Sequence, residues 1–309
     1  MSITVVGSLN MDYRLDVHHI PQGGETILSS GMTTAFGGKG LNQAVAAARA
    51  GSVVHMMGSV GQDANGRIFL DFLKKEKIGA KAMHVSGKPT GQAIIVVDAQ
   101  GQNCIIVNSG SNFDWEDSWV ENHKEQILSA NFCILQMEIP LPVIYQVLTL
   151  CEKHGVQAVL NPSPVNDQFD RMYLSKVDYL VLNECEMEHL TETKDPENGV
   201  DALIKMGVKN IVFTCGSRGC IFFTPEKKTQ FSAYSVHAVD TTGAGDTFLG
   251  AFVSCLDQGK PVESALSFAS AAAALAVTRF GAIPSIPKKK ETEKFLQSVV
   301  EGKPCAGDA

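Results

Sequence analysis

Short apolar runs rich in β-branched residues alternate with helical patterns along most of this chain, and that alternation constrains the fold most tightly. "ITVVGS" (3–8), "VVHMMGSVG" (53–61), "FCILQME" (132–138), "VQAVLNPSP" (156–164), "VDYLVLNE" (177–184) and "NIVFTCGSRG" (210–219) read as strands. Between them the spacing predicts helices such as 41–51, 67–79, 141–154 and 197–207. Strands of this kind, joined through helices, form a largely parallel sheet covered on both faces. Each run ends in a polar or glycine cluster, and open α/β sheets bind ligands at those carboxyl ends. One rim thus gathers Asn10, Asp12, Glu138, Asn161, Asn183, Thr214 and the 243–246 loop.

Two pieces break the alternation. Residues 12–36 carry strand-like stretches, "YRLDVHHI" and "MTTAF", with no helix between them, and 92–108 reads as a hairpin around Ala99–Gln102. Both adjoin the rim, which predicts a small accessory sheet covering the site. There is no internal repeat and no low-complexity linker.

At 309 residues, 44% of them apolar and 19% charged, the chain can bury a large core as one α/β domain or two smaller ones. A net charge of −7 speaks against a nucleic-acid surface. The one basic run, Lys288-Lys289-Lys290, opens a C-terminal amphipathic segment and reads as a solvated helix start. No signal peptide is visible in "MSITVVGSLNMD", and no apolar window has the length of a membrane span, so the expected location is cytoplasmic. The eight cysteines include no C-x-x-C pair and the eight histidines lack metal spacing, which points to reduced thiols.

In "VDTTGAGDTFLGAF" (239–252), Gly243 and Gly245 stand before Phe248, Leu249, Ala251, Phe252, Val253 and Leu256, which recur at helical spacing. The first N–H groups of such a helix lack internal partners and attract anions, phosphate above all. Asp246 is itself an anion at that end, so it either caps the helix or does chemistry. A second cluster, "AFGGKGLNQAVAAARAG" (35–51), is not a Walker A loop: Thr33 stands where that pattern needs glycine, and Gly40 follows Lys39 where it needs Ser or Thr. A tight turn accounts for Gly37, Gly38 and Gly40 but not for Lys39 and Asn42, which can hold ligand hydroxyls. Asn10 and Asp12 in "GSLNMD" suit a vicinal diol and are also ordinary turn residues. Glu138 ends another strand. Asn183 and Glu186 in "LNECEMEHL" fit a helix cap as well as a ligand site, and the turn at 214–219 is unspecific alone.

Jointly, "GSLNMD", "GGKGLNQA", "NECE", "DTTGAGDTF" and "AVTRFGAIPSIP" resemble the PfkB/ribokinase family of carbohydrate kinases along nearly the whole chain. The resemblance implies a three-layer α/β sandwich with a mainly parallel central sheet and a small β-sheet lid. Its large domain would take 1–11, 37–87 and 113–309, and its lid 12–36 and 88–112. By resemblance Asp246 is the catalytic base, and the N–H groups of Gly243, Ala244 and Gly245 form an anion hole. Sugar contacts transfer to Asn10, Asp12, Gly38, Lys39, Asn42, Glu138 and Asp246. ATP contacts transfer to Asn183, Thr214, Gly216, Ser217, Arg218, Gly219, Gly245 and Ser270, although Ser270 departs from a histidine that the family can carry there. Asn183 and Glu186 would organise Mg²⁺ and phosphates, the glutamate through water. Asp240, Thr242, Ala276, Arg279, Gly281 and Ser285 match an activating monovalent-cation site, expected to take K⁺.

The resemblance further implies a homodimer through the lid and ATP-dependent transfer to the 5-hydroxyl of D-ribose. A carboxylate is a feeble base toward an alcohol, but it need only accept the proton as the O–P bond forms, so placement outweighs basicity. Two rivals remain: a kinase for 2-deoxyribose, a ketohexose or a nucleoside such as adenosine, and a sugar- or nucleotide-binding regulator without catalysis. The Asn10/Asp12 pair favours ribose over 2-deoxyribose, and Asp246 beside its glycines speaks against the regulator. A dinucleotide-dependent dehydrogenase lacks its G-x-G-x-x-G loop.

Overall fold

The computed structural model describes residues 1–301; residues 302–309, with Cys305 and the end of the expected large domain, lie outside the described residues. Strands β1 (Ile3–Val6), β2 (Asn10–Asp16) and β3 (Gly31–Gly37) lead into α1 (Lys39–Arg49). Then come β4 (Val54–Gly61), α2 (Ala64–Lys75), β5 (Gly79–Ser86) and a hairpin of β6 (Gly91–Val97) and β7 (Asn103–Asn108). Two short helices, α3 (Trp119–Asn122) and α4 (Lys124–Leu128), precede β8 (Phe132–Gln136), α5 (Leu141–His154) and β9 (Gln157–Asn161). After β10 (Tyr179–Asn183) follow α6 (Glu184–Thr191), α7 (Pro196–Lys205) and β11 (Asn210–Thr214). A hairpin of β12 (Cys220–Phe223) and β13 (Lys228–Phe231) leads to α8 (Ala244–Asp257), α9 (Val262–Val277) and α10 (Lys289–Val300).

The main sheet has nine strands in the order β13-β12-β11-β10-β9-β8-β1-β4-β5. Pairing is parallel from β11 to β5 and antiparallel for β11–β12 and β12–β13. The strand β5 and the β12–β13 hairpin extend the sheet beyond the runs legible in the sequence. Both faces are covered, which explains the continuous apolar runs. Ile3 and Val5 of β1 pack into a core with α1, α2, α8 and α9, whereas Val6 enters the opposite core with α5, α6 and α7. A separate four-stranded sheet has the order β3-β2-β6-β7, with β2 and β6 parallel at its centre. Its β6–β7 turn is closed by Asp98, whose Oδ1 accepts from the Gln100 and Gln102 N–H groups while Gly101 adopts φ +80°. His18 and His19 follow β2 in an exposed segment.

The basic run at 288–290 opens α10, as its pattern predicts. Among the described residues no helix is long and apolar enough to cross a membrane, and the seven cysteines there are free.

The chain leaves β1 for β4 on one side and resumes on the other side at β8, so the strand order reverses between β1 and β8. Such a switch point opens a crevice at the carboxyl ends of the two strands. The segments after β1 and β8 and the first turn of α1 meet there.

Candidate active site

Close backbone approach builds the crevice. Gly38 caps α1 at φ +91°, and a Cβ on Gly40 would stand 2.5 Å from the Ser8 nitrogen, so the α1 N-terminus can lie directly on the β1 loop only with glycine there. Helix α8 then crosses α1 at Gly250, where a Cβ would meet the Gln43 carbonyl oxygen at 2.5 Å and Ala46 Cβ at 2.6 Å. Asp246, one turn before Gly250 on the same face of α8, is thereby aimed at α1.

The alternative roles of Asp246 separate here. Gly243, at φ +72°, is the N-cap of α8, and Asp246 is the third helical residue. Asp246 is 7% exposed. Its Oδ2 accepts from Asn42 Nδ2 at 2.9 Å and its Oδ1 from Gln43 Nε2 at 2.8 Å, so its side chain does not cap the helix. Of the expected anion-hole donors, the Ala244 N–H is already given to the Thr241 carbonyl at 3.2 Å. The N–H groups of Gly243, Gly245 and Asp246 have no partner among the described residues, and nothing stands within 4 Å of a Cβ built on Gly245. The open face of the α8 terminus is therefore at Gly245, beside the carboxylate.

A polar pocket adjoins Asp246. Glu138 Oε2 accepts from the Lys39 N–H at 3.0 Å and from the Ser8 hydroxyl. Burial followed by the Glu138 charge pushes the half-buried Asp12 carboxyl up to about 7. Burial alone would lower the Lys39 ammonium, but Asp246, Glu138 and Glu186 outweigh it and hold the group above its ordinary value, hence charged. Asn10 is buried, its Oδ1 accepting from Asn112 Nδ2 at 2.8 Å. Asn112 also clamps both backbone groups of Leu9. Asn42 Oδ1 is buried without a partner, an acceptor that calls for a donor from outside the chain.

The expected nucleotide residues line the neighbouring strand ends. Asn183 and Thr214 are register partners closing β10 and β11, and Gly216–Arg218 form a 3₁₀ turn that Gly219 ends. Arg218 pairs with Glu184. Ser270 lies on α9, buried. Asn183 and Glu186 form a reciprocal capping box on α6, at 3.0 and 2.9 Å, so both readings of this pair stand on the same atoms.

Of the expected cation residues, Asp240, Thr242 and Gly281 meet where two loops are tied, while the Ala276 carbonyl accepts from the Arg279 N–H at 3.0 Å. Asp240 Oδ1 accepts from the Thr242 N–H and hydroxyl, Oδ2 from the Gly281 N–H at 2.8 Å, and the Asp240 N–H reaches the Val277 carbonyl. Burial raises the Asp240 carboxyl, but these bonds and the Arg14 charge outweigh it and leave it below its usual value. Ser285 is buried and donates to the Ala282 carbonyl. The oxygen-rich, singly charged set suits a large monovalent cation. Among the described residues no three His, Cys, Asp or Glu side chains converge as metal ligands. A divalent ion at Glu186 would therefore take most of its ligands from phosphate and water, as Mg²⁺ commonly does.

The model of the pfkB family of carbohydrate kinases matches residues 1–289. This chain belongs to the pfkB carbohydrate kinase family. The pfkB protein is 36% identical over 302 residues to a ribokinase of Haemophilus influenzae (96% of this chain, 98% of that one). It is 38% identical over 309 residues to a ribokinase of Schizosaccharomyces pombe (95% and 97%). Among solved structures, Arabidopsis thaliana ribokinase complexed with ribose and ATP superimposes with a TM-score of 0.89 at 35% identity, covering 95% of this chain and 97% of that one. The three-layer sandwich with its separate small sheet is the fold of this pfkB kinase, as the motifs imply. Ser8, Gln43, Asn112 and Gln136, which brace its site, are absent from the sequence-level set. For Gln43 a signal existed: an amide that opens the apolar run Ala44–Ala48 falls on a helix pattern that faces the core, and a buried amide needs partners.

Proposed function

We propose that this kinase transfers the γ-phosphoryl group of ATP to the 5-hydroxyl of D-ribose, with Asp246 as the base. The observation that carries the reading is a buried carboxylate held on both oxygens by Asn42 and Gln43, beside the free N–H groups opening α8. The sugar binds against Asn10, Asp12, Gly38, Lys39, Asn42 and Glu138, and a sugar hydroxyl supplies the donor that Asn42 Oδ1 lacks. The 5-oxygen attacks the γ-phosphorus and its proton passes to Asp246. The bond to the β,γ-bridging oxygen breaks and ADP leaves. Negative charge on the phosphoryl group in flight is met by the Gly243 and Gly245 N–H groups, with Ala244 contributing once its bond to Thr241 opens.

ATP lies along Asn183, the 214–219 turn and Ser270. Mg²⁺, held with Glu186 through water, would neutralise phosphate charge. K⁺ at Asp240, Thr242, Ala276, Arg279, Gly281 and Ser285 would steady the loop preceding α8. The four-stranded sheet acts as the lid (12–36 and 88–112) over the remaining large domain, and its exposed strand β7 pairs two copies into a homodimer.

A second reading has a specific support: a deoxyribokinase of Salmonella typhi is 34% identical over 306 residues. Release of ADP from Mg-ATP with D-ribose, 2-deoxyribose, fructose and adenosine, in K⁺ and in Na⁺, decides between them. Ribose should give the highest kcat/KM, with K⁺ above Na⁺; a higher value with 2-deoxyribose would retain the mechanism and replace the substrate. Asp246→Asn should lose about 10²–10⁴-fold in kcat while still binding sugar. An unchanged kcat would remove Asp246 from the chemistry.

A further inference from the structure

Gln43 Nε2 reaches Asp246 Oδ1 at 2.8 Å and Asn161 Oδ1 at 3.3 Å, while Gln43 Oε1 accepts from Gln136 Nε2 at 2.7 Å. Gln136 and Asn161 are register partners at the carboxyl ends of β8 and β9, and Asn161 Nδ2 donates onward to the Val181 carbonyl. Three amides thus connect the floor of the sheet to one carboxylate. An ionised carboxylate only accepts, so Gln43 must turn its NH₂ to Asp246 and its oxygen to Gln136. That requires Gln136 to present its own NH₂, and the direction of every amide follows from one charge.

Gln43 and Gln136 are fully buried, and Gln136 Oε1 is left without a partner. It occupies the space of a Cβ on Gly7, 2.0 Å away, so a glycine is needed to admit it. A site built for packing alone would fill these positions with apolar side chains and leave no buried acceptor unpaired.

Resting on Asp246 as the base, we propose that Gln43, anchored by Gln136 and Asn161, is a positioning residue that fixes the rotation of the catalytic carboxylate. Asn42 holds Oδ2 from the sugar side and Gln43 holds Oδ1 from the sheet side. The carboxylate plane is set before substrate arrives, with a lone pair left for the acceptor hydroxyl. Gln43 lies outside the proposed sugar and nucleotide contacts, so its loss should act on kcat and not on affinity.

The test is steady-state kinetics with ribose and Mg-ATP, together with calorimetric ribose binding. Gln43→Glu keeps the shape and reverses the donor; kcat should fall about 100-fold with the ribose Kd within about twofold. Gln136→Met, one residue removed from the carboxylate, should cost about tenfold in kcat with the same unchanged Kd. Folded variants with wild-type kcat, or with losses carried by Kd, overturn the inference. Should either variant misfold, the side-chain ¹⁵N–¹H signal of Gln43 gives an independent reading: it should shift on Asp246→Asn, and an unmoved signal counts against the contact. Asp246→Asn kinetics separate the two claims. If Asp246→Asn is inactive while the glutamine variants are normal, only the positioning role falls; if it is active, the base falls first.

Discussion

Asp12 belongs to the proposed sugar pocket, and its carboxyl is raised to about 7 by burial and then by Glu138. Sugar hydroxyls donate best to the ionised form, so binding must expel the proton from whatever fraction still carries it. Below pH 7 the apparent ribose Kd should rise about tenfold per pH unit, and above it the affinity should level off. Calorimetry at pH 7 in buffers of different ionisation enthalpy should register about half a proton released per sugar bound. Asp12→Asn should flatten that profile at lower affinity; a profile unchanged by the substitution would move the titration elsewhere. The same pocket shows what a single sequence hides at this scale. Asn10, Asp12 and Glu138 are readable as polar residues at strand ends, but Ser8 and Asn112 reveal their role through contacts made more than 100 residues away, on Glu138 and Asn10.

Helices α1 and α8 are held together by small residues, and that closeness lets Asn42 and Gln43 touch Asp246. Gly250→Ala would put a Cβ 2.5–2.9 Å from the Gln43 carbonyl oxygen, Ala46 Cβ and the Ala47 nitrogen. The helices would have to separate, costing about 1–3 kcal/mol in denaturant unfolding. Because both amides on α1 would retreat from the carboxylate, kcat should drop further than KM rises; an equal change in both would disconnect helix spacing from the chemistry. The elements themselves were largely legible. Helix α5 occupies its predicted 141–154, and α1 begins two residues ahead of its apolar pattern because Gly38 caps it. Less legible were β5, whose run "GAKAMHVS" is broken by polar residues on a half-exposed edge, and the short β12–β13 hairpin. The Asp246 motif marked the helix mouth but not the cap, because a left-handed Gly243 took the place an aspartate could have filled.

At the scale of the whole molecule, the four-stranded sheet presents an open apolar edge. All of β7 is exposed, and Ile106, 61% exposed, stands opposite Ile94 on one face. An unpaired edge with such residues invites a second strand. Sedimentation velocity should find a dimer, and Ile106→Lys should shift it toward monomer while the main sheet stays folded; a monomer at micromolar concentration would reject pairing through this strand. The separation of the site residues along the chain has a different consequence, one of time. Gln43 and Asp246 are 203 residues apart. At about 5–20 residues per second a ribosome needs roughly 10–40 s to travel that distance. Throughout that interval the emerging α1 carries a glutamine whose carboxylate partner has not yet been made. With Asp246 as the proposed base, phosphoryl transfer would switch on late in synthesis, and fragments ending before α8 should be silent.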